Sequence, residues 1–214
     1  LTPYFKNLGF RDFTDDKAGG AFGIRIAETV KRQNLHNVMI LFGGRGAGKS
    51  TFLKRFLFYI KPREIEMYAH IALIGLLQSS QTRVELTDEI WKKILVEIDV
   101  NNLRNGTRAD LLELFSEEFE IYKKQILVGL EETNTEYQSL LRQFVLEKTN
   151  DIKLFCEKIS IKWKDKNKTL IIFLDNMDQL SPDLQDVCFL TSVEIAEKLG
   201  CLVIVSMREE RYYD

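Results

Sequence analysis

Gly43-Gly44-Arg45-Gly46-Ala47-Gly48-Lys49-Ser50 is spaced as GxxxxGK[ST]. Glycines let a backbone curl until successive N–H groups point at one anion, and a helix N-terminus behind them adds its dipole. The pattern has meaning only between a buried strand and a helix. Here the apolar run Val38 to Phe42 precedes it, and Phe52, Leu53, Phe56, Leu57 and Ile60 follow at helical spacing over Ser50 to Lys61, up to Pro62. The implied chemistry is the cradling of a phosphate chain by Gly43 to Thr51. Lys49 supplies a point charge to the β and γ phosphates and Ser50 a hydroxyl to Mg²⁺; Thr51 is a second hydroxyl less well placed.

A second constellation lies far downstream. Leu170 to Leu174 is an apolar run closed by Asp175 and followed by Asn176, Met177 and Asp178. A buried strand that delivers a carboxylate to its C-terminal edge, where ligands of open α/β sheets bind, places Asp175 to hold Mg²⁺. Asp178, one turn on, is placed to orient or deprotonate a water. Read alone, an acid at a strand end is often a turn residue; the upstream loop is what gives it weight. A third run, Cys201 to Val205, exits through Ser206, Met207 and Arg208. Ser206 is in position to sense a γ phosphate. Arg208 has two readings: it meets phosphate or the two acids, or it opens the charged surface run to Arg211.

These runs need elements to position them. Tyr68 to Leu77 reads as another strand. From Leu86 to about Trp163 the period turns helical, through Ile90, Ile94, Leu95 and Ile98, then Leu111, Leu112, Phe115, Phe119, Tyr122 and Ile126, then Leu140, Leu141, Phe144 and Val145, then Ile152, Phe155 and Ile159. A further helix spans Leu184 to Leu199 and stops at Gly200. Strands alternating with helices predict an α/β fold: a parallel sheet with helices on both faces and a long helical insertion over 80–165. At 214 residues the expectation is a single domain over 1–214, with a lead-in over 1–37 in which Phe10, Phe13 and Phe22 are open candidates for packing on a base.

Charge and composition narrow the partners. A formal charge of −2 argues against nucleic-acid binding by bulk electrostatics. A local patch stays open in the basic run Lys162 to Lys168 around Trp163, set against the plainer reading of a polar loop before a strand. The acid-rich stretch Asp110 to Glu136 reads as solvated helix faces, and Phe115, Phe119 and Tyr122 as core. The longest apolar runs fall far short of the roughly 20 residues a membrane-crossing helix needs. Cys156, Cys188 and Cys201 read as buried reduced thiols of a cytoplasmic protein. His36 and His70 have no Cys or His at ligand spacing and read as ordinary side chains. The chain opens on Leu1 and stops at Asp214, which reads as a fragment of a longer protein.

Taken together, the loop at Gly43 to Ser50, Leu174-Asp175-Asn176-Met177-Asp178 and Val205-Ser206-Met207-Arg208 resemble the Walker A, Walker B and fourth-strand motifs of P-loop ATPases of the STAND and AAA+ type, including NACHT, KAP and origin-recognition relatives. The resemblance covers both ends of the chain and says little about 80–165. It implies the additional-strand P-loop core, with the strand from Cys201 beside Val38 to Phe42, and ATP with Mg²⁺ as ligands. It assigns Lys49 to phosphate, Ser50 and Asp175 to magnesium, Asp178 to water and Arg208 to the arginine that such families often place after that strand. One departure is Asn176, where many AAA+ proteins have Glu; either Asp178 is the base or hydrolysis is slow. Another is the lack of the usual lid after Arg208. A GTPase is disfavoured, because Asn167-Lys168-Thr169-Leu170 has Leu where the guanine reader NKxD needs Asp.

Three functions follow as expectations. The first is a nucleotide-driven assembly switch of a signalling or defence-type ATPase that self-associates through this domain. The second is a DNA-associated motor or loader, and the third a nucleotide-binding module without turnover.

Overall fold

The computed structural model describes residues 26, 28–30, 37–43, 48–60, 63–77, 79 and 82–207. The four apolar runs become strands β1 (Asn37–Phe42), β2 (Ala69–Gly75), β3 (Thr169–Asp175) and β4 (Leu202–Met207). Every pairing is parallel and the order is β1-β4-β3-β2. The α/β class is therefore as expected, and the strand after Cys201 does lie beside β1. Because successive side chains alternate, Leu170, Ile172 and Leu174 of β3 join Val203 and Val205 of β4 on one face, while Ile171 and Phe173 join Leu202 and Ile204 on the other. β3 is buried along its whole length, which is why it reads as a continuous apolar run.

The helices are α1 (Lys49–Lys54), which runs on as a π-helix over Arg55–Ile60, then α2 (Arg63–Tyr68), α3 (Arg83–Ile98), α4 (Arg108–Leu114), α5 (Ser116–Gln125), α6 (Thr135–Asn150), α7 (Ile152–Asp165) and α8 (Pro182–Leu199). The helix expected over Ser50 to Lys61 is thus α-helical only to Lys54; across the wider turn Phe56 and Leu57 still reach the core that holds Leu53. The second strand is shorter than Tyr68 to Leu77, because α2 keeps Tyr68 helical. Leu53, Phe56, Leu57 and Ile65 cover one sheet face together with Ile26 and Val30. The other face is covered by α3, α7 and α8, through Leu86, Ile90, Trp91, Phe155, Cys156, Ile159, Cys188 and Ile195.

Between β2 and β3, therefore, α3 and α7 lie on the sheet, and α4, α5 and α6 build outward from them. Phe115 packs edge-on to Phe155, with ring centroids 5.6 Å apart, and Phe119 and Tyr122 sit at 5.5 and 4.8 Å from Phe144. Of the aromatic stripe, Phe115 is core and Phe119 and Tyr122 are partly buried against it. The acids of α4 and α5 meet lysines of α7: Glu118 with Lys158 at 2.7 Å and Glu113 with Lys162 at 3.5 Å. Sharp signals end the helices. Thr107 and Asp110 form a reciprocal capping box on α4. Asp151 closes α6 and caps α7 by accepting from Leu154 N. Gly200 ends α8 with φ 56°, a left-handed conformation that glycine adopts at least cost. Among the described residues no helix is long and apolar enough to cross a membrane.

All three cysteines are free and buried. Burial pushes each thiol up to about 12, whereas an unfolded thiol ionises near about pH 8.5. The unfolded chain thus loses protons that the native state keeps. The stability from the neutral thiols is complete below about pH 8.5 and declines above it, toward about pH 12. Urea denaturation from about pH 8 to about pH 10 should show Cys201→Ala lessening that decline by an amount that grows with pH toward a limit of about 1.4 kcal/mol per pH unit relative to wild type. By the same measurement, Phe173→Ala at the centre of β3 should cost about 3 to 5 kcal/mol. Val96→Ala, on an exposed face of α3, should cost less than about 0.5.

Candidate functional site

The parallel order brings the C-terminal ends of the strands to one edge, where Phe42 lies opposite Met207, Leu174 opposite Val205 and Gly75 opposite Asp175. Alternation turns Asp175 and Ser206 toward the face on which α1 lies. Gly48, just before α1, has φ 78°, a conformation that an L side chain would strain, and its carbonyl accepts from Phe52 N at 2.8 Å. Lys49 is therefore the first helical residue and stands directly over the sheet edge.

Lys49 Nζ donates to the Gly43 carbonyl at 2.7 Å and pairs with Asp178 Oδ2 at 2.9 Å. Both side chains of this pair are largely buried. One residue on, Ser50 Oγ donates to Asp175 Oδ1 across a sequence separation of 125. Ser50 is thus the hydroxyl that reaches the acid. Asp175 is 2% exposed, and a carboxylate so placed needs several donors. Its Oδ1 also accepts from Asn176 N at 2.9 Å, and its Oδ2 pairs with Lys54 Nζ at 3.1 Å. Lys54 was missed in the sequence. Its signal is the spacing of four from Ser50, which puts both side chains on one face of the helix.

Asn176 has φ 66°, and Asn tolerates this conformation far better than most side chains. It starts a 3-10 turn, Met177–Gln179, and its Oδ1 accepts from Gln179 Nε2 at 3.1 Å. Met177 anchors the turn in the core, and the turn brings Asp178 back to Lys49. Asn176 is thus a residue that shapes the backbone. Ser206 is 1% exposed, and its Oγ has no hydrogen-bond partner among the described residues. Gly44, Arg45, Gly46, Ala47 and Arg208 lie outside the described residues, as do Phe10, Phe13 and Phe22.

The set fits a phosphate chain with a hard divalent cation. Ser50 Oγ and Asp175 supply adjacent oxygen donors, which Mg²⁺ prefers alongside phosphate and water. Asp175 already attracts an ammonium, and the orphaned Ser206 hydroxyl stands at the same edge. The other candidate surface is engaged within the fold. Trp163 stacks on His70 with centroids 4.1 Å apart, and its Nε1 donates to the Ile98 carbonyl at 3.0 Å. Lys166 lies over the Trp163 ring, and Lys168 donates to the Glu66 carbonyl.

Lys49 and Asp178 should be energetically coupled in the ligand-free protein. A double-mutant cycle of Lys49→Met and Asp178→Asn, read by urea denaturation, should give a coupling of about 0.5 to 3 kcal/mol; additive effects would mean that the two side chains do not pair in solution.

No protein-family profile matches the sequence and no curated protein matches it, so the motifs and their geometry alone carry the functional reading.

Proposed function

We propose that this chain is the core of a P-loop ATPase of the additional-strand type, which binds and hydrolyses ATP with Mg²⁺ and acts as a nucleotide-driven assembly switch within a larger protein. One observation carries the reading. The two residues that close the glycine loop, Lys49 and Ser50, contact the two acids at and just beyond the end of β3, Asp178 and Asp175, although more than 120 residues separate them. The strand order, with β4 between β1 and β3, supports the additional-strand core.

In this reading a triphosphate takes over the Lys49 ammonium, because a polyanion offers it more charge than one carboxylate does. Asp178 is thereby released, one turn beyond Asp175, to accept a hydrogen bond and then a proton from the attacking water. Bound magnesium, held by Ser50 and Asp175, supplies charge neutralisation to the phosphates. The Ser206 hydroxyl donates to a terminal phosphate oxygen and so finds the partner it lacks, and Arg208 contributes a second positive charge there. With Asn176 in place of a glutamate, the base sits further along the chain and turnover is slow, as suits a switch. The occupied faces of Trp163 favour this reading over a DNA-associated motor.

Calorimetric titration with a non-hydrolysable ATP analogue and Mg²⁺, beside GTP, tests the proposal. Wild type should bind the ATP analogue saturably and in preference to GTP. Lys49→Ala should weaken the analogue by about 10- to 100-fold while the protein keeps its helical circular dichroism. Absence of saturable binding by folded wild type would refute the proposal.

A further inference from the structure

Lys54 is a feature that the proposed mechanism does not use. It is the last residue of α1, four after Ser50, and the two side chains divide one carboxylate between them: Ser50 on Asp175 Oδ1, Lys54 on Oδ2 at 3.1 Å. The partners differ in freedom. The Asp175 side chain is 3% exposed and fixed at the strand end, whereas that of Lys54 is 43% exposed on a flexible four-carbon stem. In the ligand-free site the Lys54 charge thus stands where a divalent cation would otherwise compensate Asp175.

Resting on the nucleotide-binding reading above, we infer that Lys54 is a built-in competitor of the divalent cation, and that it sets how much cation the nucleotide-loaded site requires. The sign follows from electrostatics. A dication at Asp175 is repelled by an ammonium on the other oxygen of the same carboxylate. Either Lys54 leaves, losing its pair, or it stays and weakens the cation. Both lower the affinity for metal, and removing the charge raises it. The half-exposed lysine limits the size of the effect to that of a partly screened pair. Lys54 is a tuning residue, and metal occupancy is what it governs.

The test uses Mn²⁺ in place of Mg²⁺ and follows free Mn²⁺ by electron paramagnetic resonance, with the protein saturated by the ATP analogue. Analogue binding is first measured in EDTA. Lys54→Gln, and Lys54→Met, which keeps an aliphatic stem, should lower the Mn²⁺ concentration at half-saturation by about two- to fivefold. Lys54→Arg should stay near wild type. The difference should shrink at about 1 M salt, where exposed charges are screened. Asp175→Asn should lose the tight Mn²⁺ site whether Lys54 is present or not. Unchanged or weaker Mn²⁺ binding by Lys54→Gln and Lys54→Met, with analogue binding in EDTA intact, overturns the inference and leaves the nucleotide site standing. Failure of wild type to bind the analogue with or without metal overturns both.

Discussion

A buried carboxylate at the end of a buried strand is the constraint from which the rest of the site follows. β3 is inaccessible along its length, and Asp175 closes it. An ion so placed costs several kcal/mol unless donors surround it. The chain supplies them from two directions: Asn176 N from the turn that follows, and Ser50 and Lys54 from α1. That requirement fixes α1. It leaves the end of β1, two strand widths or about 10 Å from β3, and must reach across β4 on the face toward which Asp175 points. Leu53, Phe56 and Leu57 hold it there by packing against Ile171 and Phe173, so the charged end and the apolar flank of one helical stretch seat each other.

Much of this was legible in the sequence because it was written in contiguous residues. β3 and β4 announce themselves as unbroken apolar runs, since in a parallel sheet covered on both sides no position needs a polar residue. Lys49, Ser50 and Asp175 stand out because the spacing around each is rigid. What was not legible depends on geometry between elements. Lys54 looks like any lysine of an exposed helix until the helix is set against β3. The change from α to π geometry after Lys54 leaves no trace in a pattern where Leu53, Phe56 and Leu57 fit ordinary helical spacing. Trp163 in a basic run reads equally well as a stacking platform or a local anchor, and only the position of His70 on β2 and of the Ile98 carbonyl on α3 distinguishes them.

The long helical segment shows how a fold absorbs an extension. α3 and α7 bury Ile90, Trp91, Phe155 and Ile159 against the sheet, so they serve as the layer any parallel crossover needs. The outer helices then add a small core of their own around Leu127, Tyr137 and Leu141, joined to the main one through Leu112, Phe119 and Tyr122. Acids on the outer helices face lysines on α7, which matches the charge clusters of the two stretches without invoking an external partner. The sequence pattern reads helical over this stretch, in which the structure has α3 to α7 with breaks at 99–107, Phe115, 126–134 and Asp151. It did not separate the two helices that support the sheet from those that extend beyond it, because both kinds carry an apolar stripe of the same period.

Each acid at the sheet edge has its own lysine. Lys49 pairs with Asp178 and Lys54 with Asp175, so neither acid of the pair is left uncompensated at the sheet edge. In the proposed ATPase, binding is then an exchange: phosphates replace Asp178 on Lys49, and a metal displaces or opposes Lys54 at Asp175. In that proposal the Asp178 carboxylate is held by the Lys49 ammonium until the substrate claims that ammonium, so water activation is tied to a filled site. A glutamate directly after Asp175 would lack that control and would be strained, because position 176 holds φ at 66° and Asn tolerates that conformation better. Asn176 and the Lys49–Asp178 pair are therefore two parts of one arrangement. The turn that Asn176 starts is what carries Asp178 back to the lysine, and in the proposed ATPase that is where a bound polyanion releases it.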